Sequence, residues 1–133
     1  MMKRLSLLLL IAILVACSPS VAAPAATPTP AGDMVIKPIQ IDQVEVSVAE
    51  SFPVQVYAHI KGLVGDGCTE ALPAQQTRQG HTITITIDSQ RPKGAICIQI
   101  AKIYDETIRL QGEFPSGDYT LKVNDVTQTF HVD

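Results

Sequence analysis

The sequence predicts an all-β domain, an antiparallel β-sandwich of seven or eight short strands over residues 34–133. Three observations carry this. From Met34 onward apolar residues recur with period two, the spacing of half-buried strands. Clusters of Gly, Pro, Asn, Asp and Ser punctuate these runs at short intervals. No segment has the 3.6-residue apolar period of an amphipathic helix. The chain has three Phe, three Tyr and no Trp, so Ile, Val and Leu must build the core.

The chain opens on Met1-Met2-Lys3-Arg4, a short positive segment, followed by the apolar run Leu5–Val15, broken by Ser6. A bilayer-spanning helix needs about 20 apolar residues. The shorter run suits the hydrophobic region of a secretory signal, assigned to residues 1–16. Leu14-Val15-Ala16-Cys17 resembles a lipobox, in which a small residue precedes an obligatory cysteine. That resemblance implies diacylglyceryl transfer to the Cys17 thiol, cleavage before Cys17, and acylation of the freed amine. A single acyl chain anchors only marginally, whereas two or three hold a protein to a membrane. Ser18 follows the cysteine, and the membrane leaflet is left open. Residues 17–33 then form a Pro-, Ala- and Thr-rich linker with no periodic apolar face, suited to spacing.

The strands follow in order. Met34–Ile41 reads as an edge strand blunted by Lys37 and Pro38. Val44, Val46 and Val48 alternate with polar residues, as do Val54, Val56, Ala58 and Ile60. Ile83, Ile85 and Ile87 alternate with threonines in the clearest strand of the chain. Two strands are expected at Ala95–Ile103 and Glu106–Gln111, and two more around Tyr119–Val123 and Phe130–Val132. Turns are expected at Gly62, Gly65-Asp66-Gly67, Gln79-Gly80, Arg91–Gly94, Pro115–Gly117 and Asn124-Asp125. The last has the form of a two-residue hairpin turn, since Asn and Asp tolerate positive φ.

Setting Cys17 aside leaves Cys68 and Cys97, an even pair whose simplest reading in an exported protein is a disulfide. Redox-active pairs usually show Cys-x-x-Cys spacing, which is absent. The run Pro115-Ser116-Gly117-Asp118-Tyr119-Thr120-Leu121-Lys122-Val123 resembles the P-x-G-x-Y-x-[LV]-x-V run near the end of bacterial immunoglobulin-like domains. The wider segment Cys68–Val132 resembles C-terminal domains of uncharacterised bacterial lipoproteins: a Cys, a Thr/Ile strand, a second Cys, an E-T-I-x-L strand at Glu106–Leu110, and the closing Tyr-Thr run. The resemblance implies an immunoglobulin-like sandwich outside the cytoplasm, with Tyr119 packed against the core. It carries no activity.

No catalytic constellation emerges. Ser47, Ser51, Ser89 and Ser116 have no nucleophile motif around them. His59, His81 and His131 show no metal-ligand spacing, so no metal site or cofactor is expected. Asp105-Glu106 and Asp66 read as solvated turn acids. Loss of Lys3 and Arg4 with the signal leaves eight basic and thirteen acidic side chains, a net of −5, which argues against nucleic acid. The expected function is therefore a lipid-anchored binding or structural module of the cell envelope, without catalysis. Its expected partners are the membrane, through the lipid on Cys17, and an envelope protein or glycan. Leu63–Gly67 and Ser89–Gly94 are candidate contact loops. Alternatives are a cell-wall glycan or peptide receptor using Tyr57 and His59, which share the polar parity of one strand, or an inhibitor of extracellular proteases.

Overall fold

The computed structural model describes residues 32–133. The signal segment, Cys17 and the linker up to Ala31 lie outside the described residues. Ten strands form among the described residues: β1 Met34–Pro38, β2 Gln40–Ala49, β3 Gln55–Gly65, β4 Glu70–Ala71, β5 Gln75–Gln79, β6 Thr82–Thr86, β7 Asp88–Pro92, β8 Lys102–Arg109, β9 Gly117–Val123 and β10 Val126–Val132. They make a four-stranded sheet β10-β9-β6-β5, a three-stranded sheet β2-β3-β8 and a smaller sheet β1-β7-β4. The sandwich expected from the sequence is what the chain folds into. One pair departs from the antiparallel expectation, because β6 runs parallel to β9. The crossover between them passes through β7 and β8, in the other two sheets.

Period-two alternation places the core. Val56, Ala58 and Ile60 of β3 face Ile83 and Ile85 of β6 and Leu121 and Val123 of β9, all fully buried. The strand count exceeds seven or eight because two long extended runs change sheets partway. Ile39 separates β1 from β2, and Ile87 separates β6 from β7. At each isoleucine the backbone leaves one ladder for another. The two switch points touch, with the Ile39 N–H donating to the Ile87 carbonyl at 3.0 Å.

Asn124 seals this junction. It lies in the hairpin turn joining β9 to β10, with φ of +48°, and Val123 pairs with Val126 across it. Its amide Nδ2 donates to the Ile39 and Ile87 carbonyls, both at 2.9 Å, and its Oδ1 accepts from the Ile87 N–H at 2.9 Å. Backbone groups buried without partners cost about 1–3 kcal/mol each. One side chain therefore closes the polar account of two strand crossings.

Three sequence expectations are corrected. Gly62 is not a turn but an interior residue of β3, at a bulge in its pairing with β2. A Cβ there would run into the Gln40 carbonyl oxygen. Glycine is present for close backbone approach, not for reversal. Second, the two strands expected over Ala95–Gln111 are one, β8, and the segment Ala95–Ala101 joins no sheet. Third, most of the expected contact loops is strand: Leu63–Gly65 ends β3, and Ser89–Pro92 belongs to β7.

The Ala95–Ala101 segment is held by other means. Cys97 is disulfide-bonded to Cys68, with Cα atoms 5.6 Å apart. The Gly67 N–H donates to the Ile98 carbonyl at 3.0 Å. The Arg91 guanidinium donates to the Ala95 carbonyl at 2.9 Å and lies 3.4 Å from the Cys97 Sγ. Arg91 also pairs with Asp66 at 2.9 Å. Asp66 in turn accepts from the Thr69 hydroxyl at 2.8 Å and the Cys68 N–H at 3.2 Å. The Thr69 hydroxyl, then the Arg91 and Cys68 donors, hold the Asp66 carboxyl below its usual range against the opposing effect of burial.

Candidate functional site

Tyr57 and His59 both lie on β3, whose odd residues face away from the core while Val56, Ala58 and Ile60 face into it. The register builds a grid around them. Ser47, Glu45 and Gln43 of β2 lie opposite Tyr57, His59 and Lys61. On the other side Arg109, Thr107 and Asp105 of β8 lie opposite the same three residues. The outer face of the β2-β3-β8 sheet is thus a polar surface with a phenol and an imidazole at its centre. Residues directly opposite on an antiparallel pair share a face and interact.

The imidazole of His59 is its electrostatic centre. Nε2 contacts Asp105 Oδ1 at 2.6 Å, and Nδ1 is 3.9 Å from Glu45 Oε2. The hydrogen bond from His59 lowers the Asp105 pKa. Burial opposes this, and the charges of His59 and Lys61 add to the lowering. The ring so ties β8 to β3 and reaches toward β2. Tyr57 is half-buried and its hydroxyl donates to Gln55 Oε1 at 2.6 Å. Its oxygen keeps lone pairs for a further donor. The arrangement offers a flat, hydrogen-bonding platform with charges of both signs. No group of three or more His, Cys, Asp and Glu side chains able to hold a metal occurs among the described residues.

The concave surface lies elsewhere. One open cleft is lined by Pro38, Ile39, Thr84, Thr86, Asp88 and Asp125, above the junction that Asn124 seals. The remaining histidines are peripheral. His131 pairs with Asp118 at 2.7 Å. His81, on the core parity of β6 but before its first residue, packs on Tyr119 at a 31° tilt with centroids 4.6 Å apart.

Tyr119 occupies the packing role that the P-x-G-x-Y resemblance implies. It is 1% exposed, stacks on Phe130 at 5.3 Å and meets Phe114 edge-on. Its hydroxyl donates to the Pro115 carbonyl at 2.7 Å, the local geometry of a tyrosine corner. Sequence reasoning missed Arg78, which covers this cluster. Its guanidinium lies 4.6 Å from the Phe114 centroid and donates to the Glu113 carbonyl at 2.8 Å. No local signal marked it: Gln75–Gln79 is polar throughout, and only the fold turns Gln76 and Arg78 inward while Gln75, Thr77 and Gln79 stay exposed.

Comparison with known proteins places this fold in a family. A protein of Herpetosiphon aurantiacus, described as an uncharacterized 10.2 kDa protein in the HgiCIIM 5′ region, is 41% identical over 90 residues, covering 68% of this chain and 96% of that protein. Two further proteins of that organism, in the HgiBIM and HgiEIM 5′ regions, are each 40% identical over 78 residues, covering 59% of this chain and 95% of theirs. No solved structure matches. The family model described as the ORF11 beta-sandwich domain matches residues 58–132, from the middle of β3 to the end of β10, and the chain belongs to that family.

Proposed function

We propose that the protein is a lipid-anchored, extracytoplasmic binding or structural module of the bacterial cell envelope that performs no catalysis. The observation that carries this is the N-terminal sequence: a positive segment, an apolar run and Leu14-Val15-Ala16-Cys17 in the form of a lipobox. The Cys68–Cys97 disulfide supports an oxidising compartment, since such bonds are rare in the cytosol of mesophiles. A disulfide-tied sandwich on a lipid tether needs no active site to serve as an interaction module.

Labelling cells with radioactive palmitate tests the anchor. The wild-type chain takes up label and fractionates with membranes, and Cys17→Ser does neither. An unlabelled wild-type chain overturns the reading. In-cell crosslinking of the tagged protein then identifies what it contacts, with the tether alone as control.

A second reading is favoured by the Tyr57–His59 face, namely binding of a cell-wall glycan or peptide. Tyr57 supplies a ring surface, and His59, Asp105 and Glu45 supply hydrogen-bonding groups beside it. Binding of the protein to isolated cell wall, reduced at least severalfold by Tyr57→Ala, supports this reading. Equal binding by the variant removes it.

A further inference from the structure

We propose that the end of the domain carrying Ile96, Ile98 and Ile100 rests on the lipid surface to which the chain is anchored. This inference builds on the reading of Cys17 as a lipid attachment site. It starts from an anomaly. Ala95–Ala101 alternates isoleucines with smaller residues in the manner of a half-buried strand, yet it pairs with no sheet. Its apolar side chains face solvent: Ile96 is fully exposed, Ile98 67% and Ile100 63%. Ile103, 74% exposed, lies opposite Leu63, 37% exposed, where β8 pairs with β3. A cluster of exposed isoleucines at one end of a small domain marks a docking surface.

The occupant follows from two observations. The first is where the chain enters the domain. The Lys93 N–H donates to the Asp33 carbonyl at 2.8 Å, so residue 33 arrives two to three residues from Ala95 and Ile96. Sixteen residue-to-residue steps, with fifteen residues between, lead from Cys17 to Asp33. At about 3.3–3.6 Å per residue they reach at most about 50–60 Å. The end of the domain that enters from the tether is the isoleucine end. So short a tether holds the domain at an effective concentration at which a shallow apolar contact suffices.

The second observation is the state of the segment's backbone. A second copy, or any strand added to this edge, would need free carbonyls and N–H groups in register. The Ala95 carbonyl is taken by Arg91, the Cys97 carbonyl by Gln99 Nε2 and the Ile98 carbonyl by the Gly67 N–H. Those three occupied carbonyls interrupt the ladder that a strand would need along the whole run, while the exposed isoleucine side chains make no directional demand, which suits a bilayer interface. Lys93, whose side chain is exposed just before the run, supplies an amine suited to headgroup level. The isoleucines would enter only the headgroup–acyl boundary, about 5–10 Å deep.

The absence of native Trp supplies the probe. The full lipidated chain carrying Ile96→Trp is reconstituted in phosphatidylethanolamine–phosphatidylglycerol vesicles with brominated acyl chains. The control is Phe52→Trp, at a fully exposed position in the turn before β3, the opposite end of that strand. The result expected is severalfold quenching at position 96 with a blue-shifted emission, and little quenching at position 52. Replacing Ile98 and Ile100 together by Ser should restore most of the emission. Floating protein with equal quenching at both positions, or none at 96, overturns the docking and leaves the anchor standing. An unquenched but blue-shifted probe, with crosslinked pairs of the protein, overturns it in favour of a second copy. Protein that does not float with the vesicles overturns both the docking and the anchor.

Discussion

Asn124 illustrates how one side chain can determine whether a fold closes. Its left-handed backbone serves the β9–β10 turn, a duty glycine would perform as well. Its amide serves the core, bridging Ile39 and Ile87 where two strands change sheets. Asn124→Ala removes all three side-chain hydrogen bonds and strains the turn, and it is expected to destabilise the domain by about 3 kcal/mol or more. Asn124→Gly relieves the turn but not the junction and should recover only part of the loss. Urea denaturation of the two variants separates the roles; equal and small losses would show that water replaces the amide. Asp66 gives a second residue-scale expectation. Its carboxyl pKa is lowered in the folded chain, chiefly by the Thr69 hydroxyl. Its contribution is therefore present above the ordinary carboxylate pKa and is lost as pH falls through the lowered value. Asp66→Asn should be less stable than wild type near neutral pH, and the difference should close as the pH falls below the ordinary carboxylate pKa and through the lowered one. A gap that persists in acid would assign the loss to packing instead.

At the scale of strands, period two was a reliable guide wherever a strand keeps one face on the core. β3, β6 and β9 follow it, with every second residue buried. It failed at Ala95–Ala101, where the pattern is intact and the sheet is missing. The alternation records which side of an extended chain is apolar, not what that side meets. There the disulfide, Arg91 and Gly67 claim the backbone, and these are contacts between residues distant in sequence. Gly62 failed for a related reason: a glycine for a turn and one for close approach look alike until the neighbouring strand is known. Gly62→Ala is expected to cost about 1–3 kcal/mol, since the added methyl meets the Gln40 backbone, which cannot yield like a side chain. Thermal melts of this variant against Gly80→Ala would test it. Gly80 has open space around its Cβ position and a left-handed φ, so its loss reports turn strain alone. Parity did place Tyr57 and His59 on one outward face. The carboxylates that flank His59 come from β2 and β8, and pairing across strands is invisible to a local pattern.

For the molecule as a whole, the disulfide and the hydrophobic core are separate devices. The core runs through β3, β6 and β9, and neither cysteine belongs to it. The Cys68–Cys97 bond closes 29 residues of separation containing β4 to β7 and pins Ala95–Ala101, a segment that no sheet holds. In the chain-entropy picture such a loop contributes about 3–4 kcal/mol by restricting the unfolded state. A variant with both cysteines replaced by Ser should therefore keep its β-sheet circular dichroism and lose about that much stability. Its loss of order should be local: amide exchange should quicken from Asp66 to Thr69 and from Ala95 to Ala101, while Ile83, Ile85 and Leu121 keep their protection. Uniform loss of protection would instead make the disulfide a condition for folding the whole sandwich. The local outcome ties stability to surface, because the segment it loosens is the one that presents Ile96, Ile98 and Ile100 to solvent. An oxidising compartment would then do more than add stability. It would hold an apolar edge in one shape, with the Cys97 and Ile98 carbonyls occupied and the isoleucine side chains free.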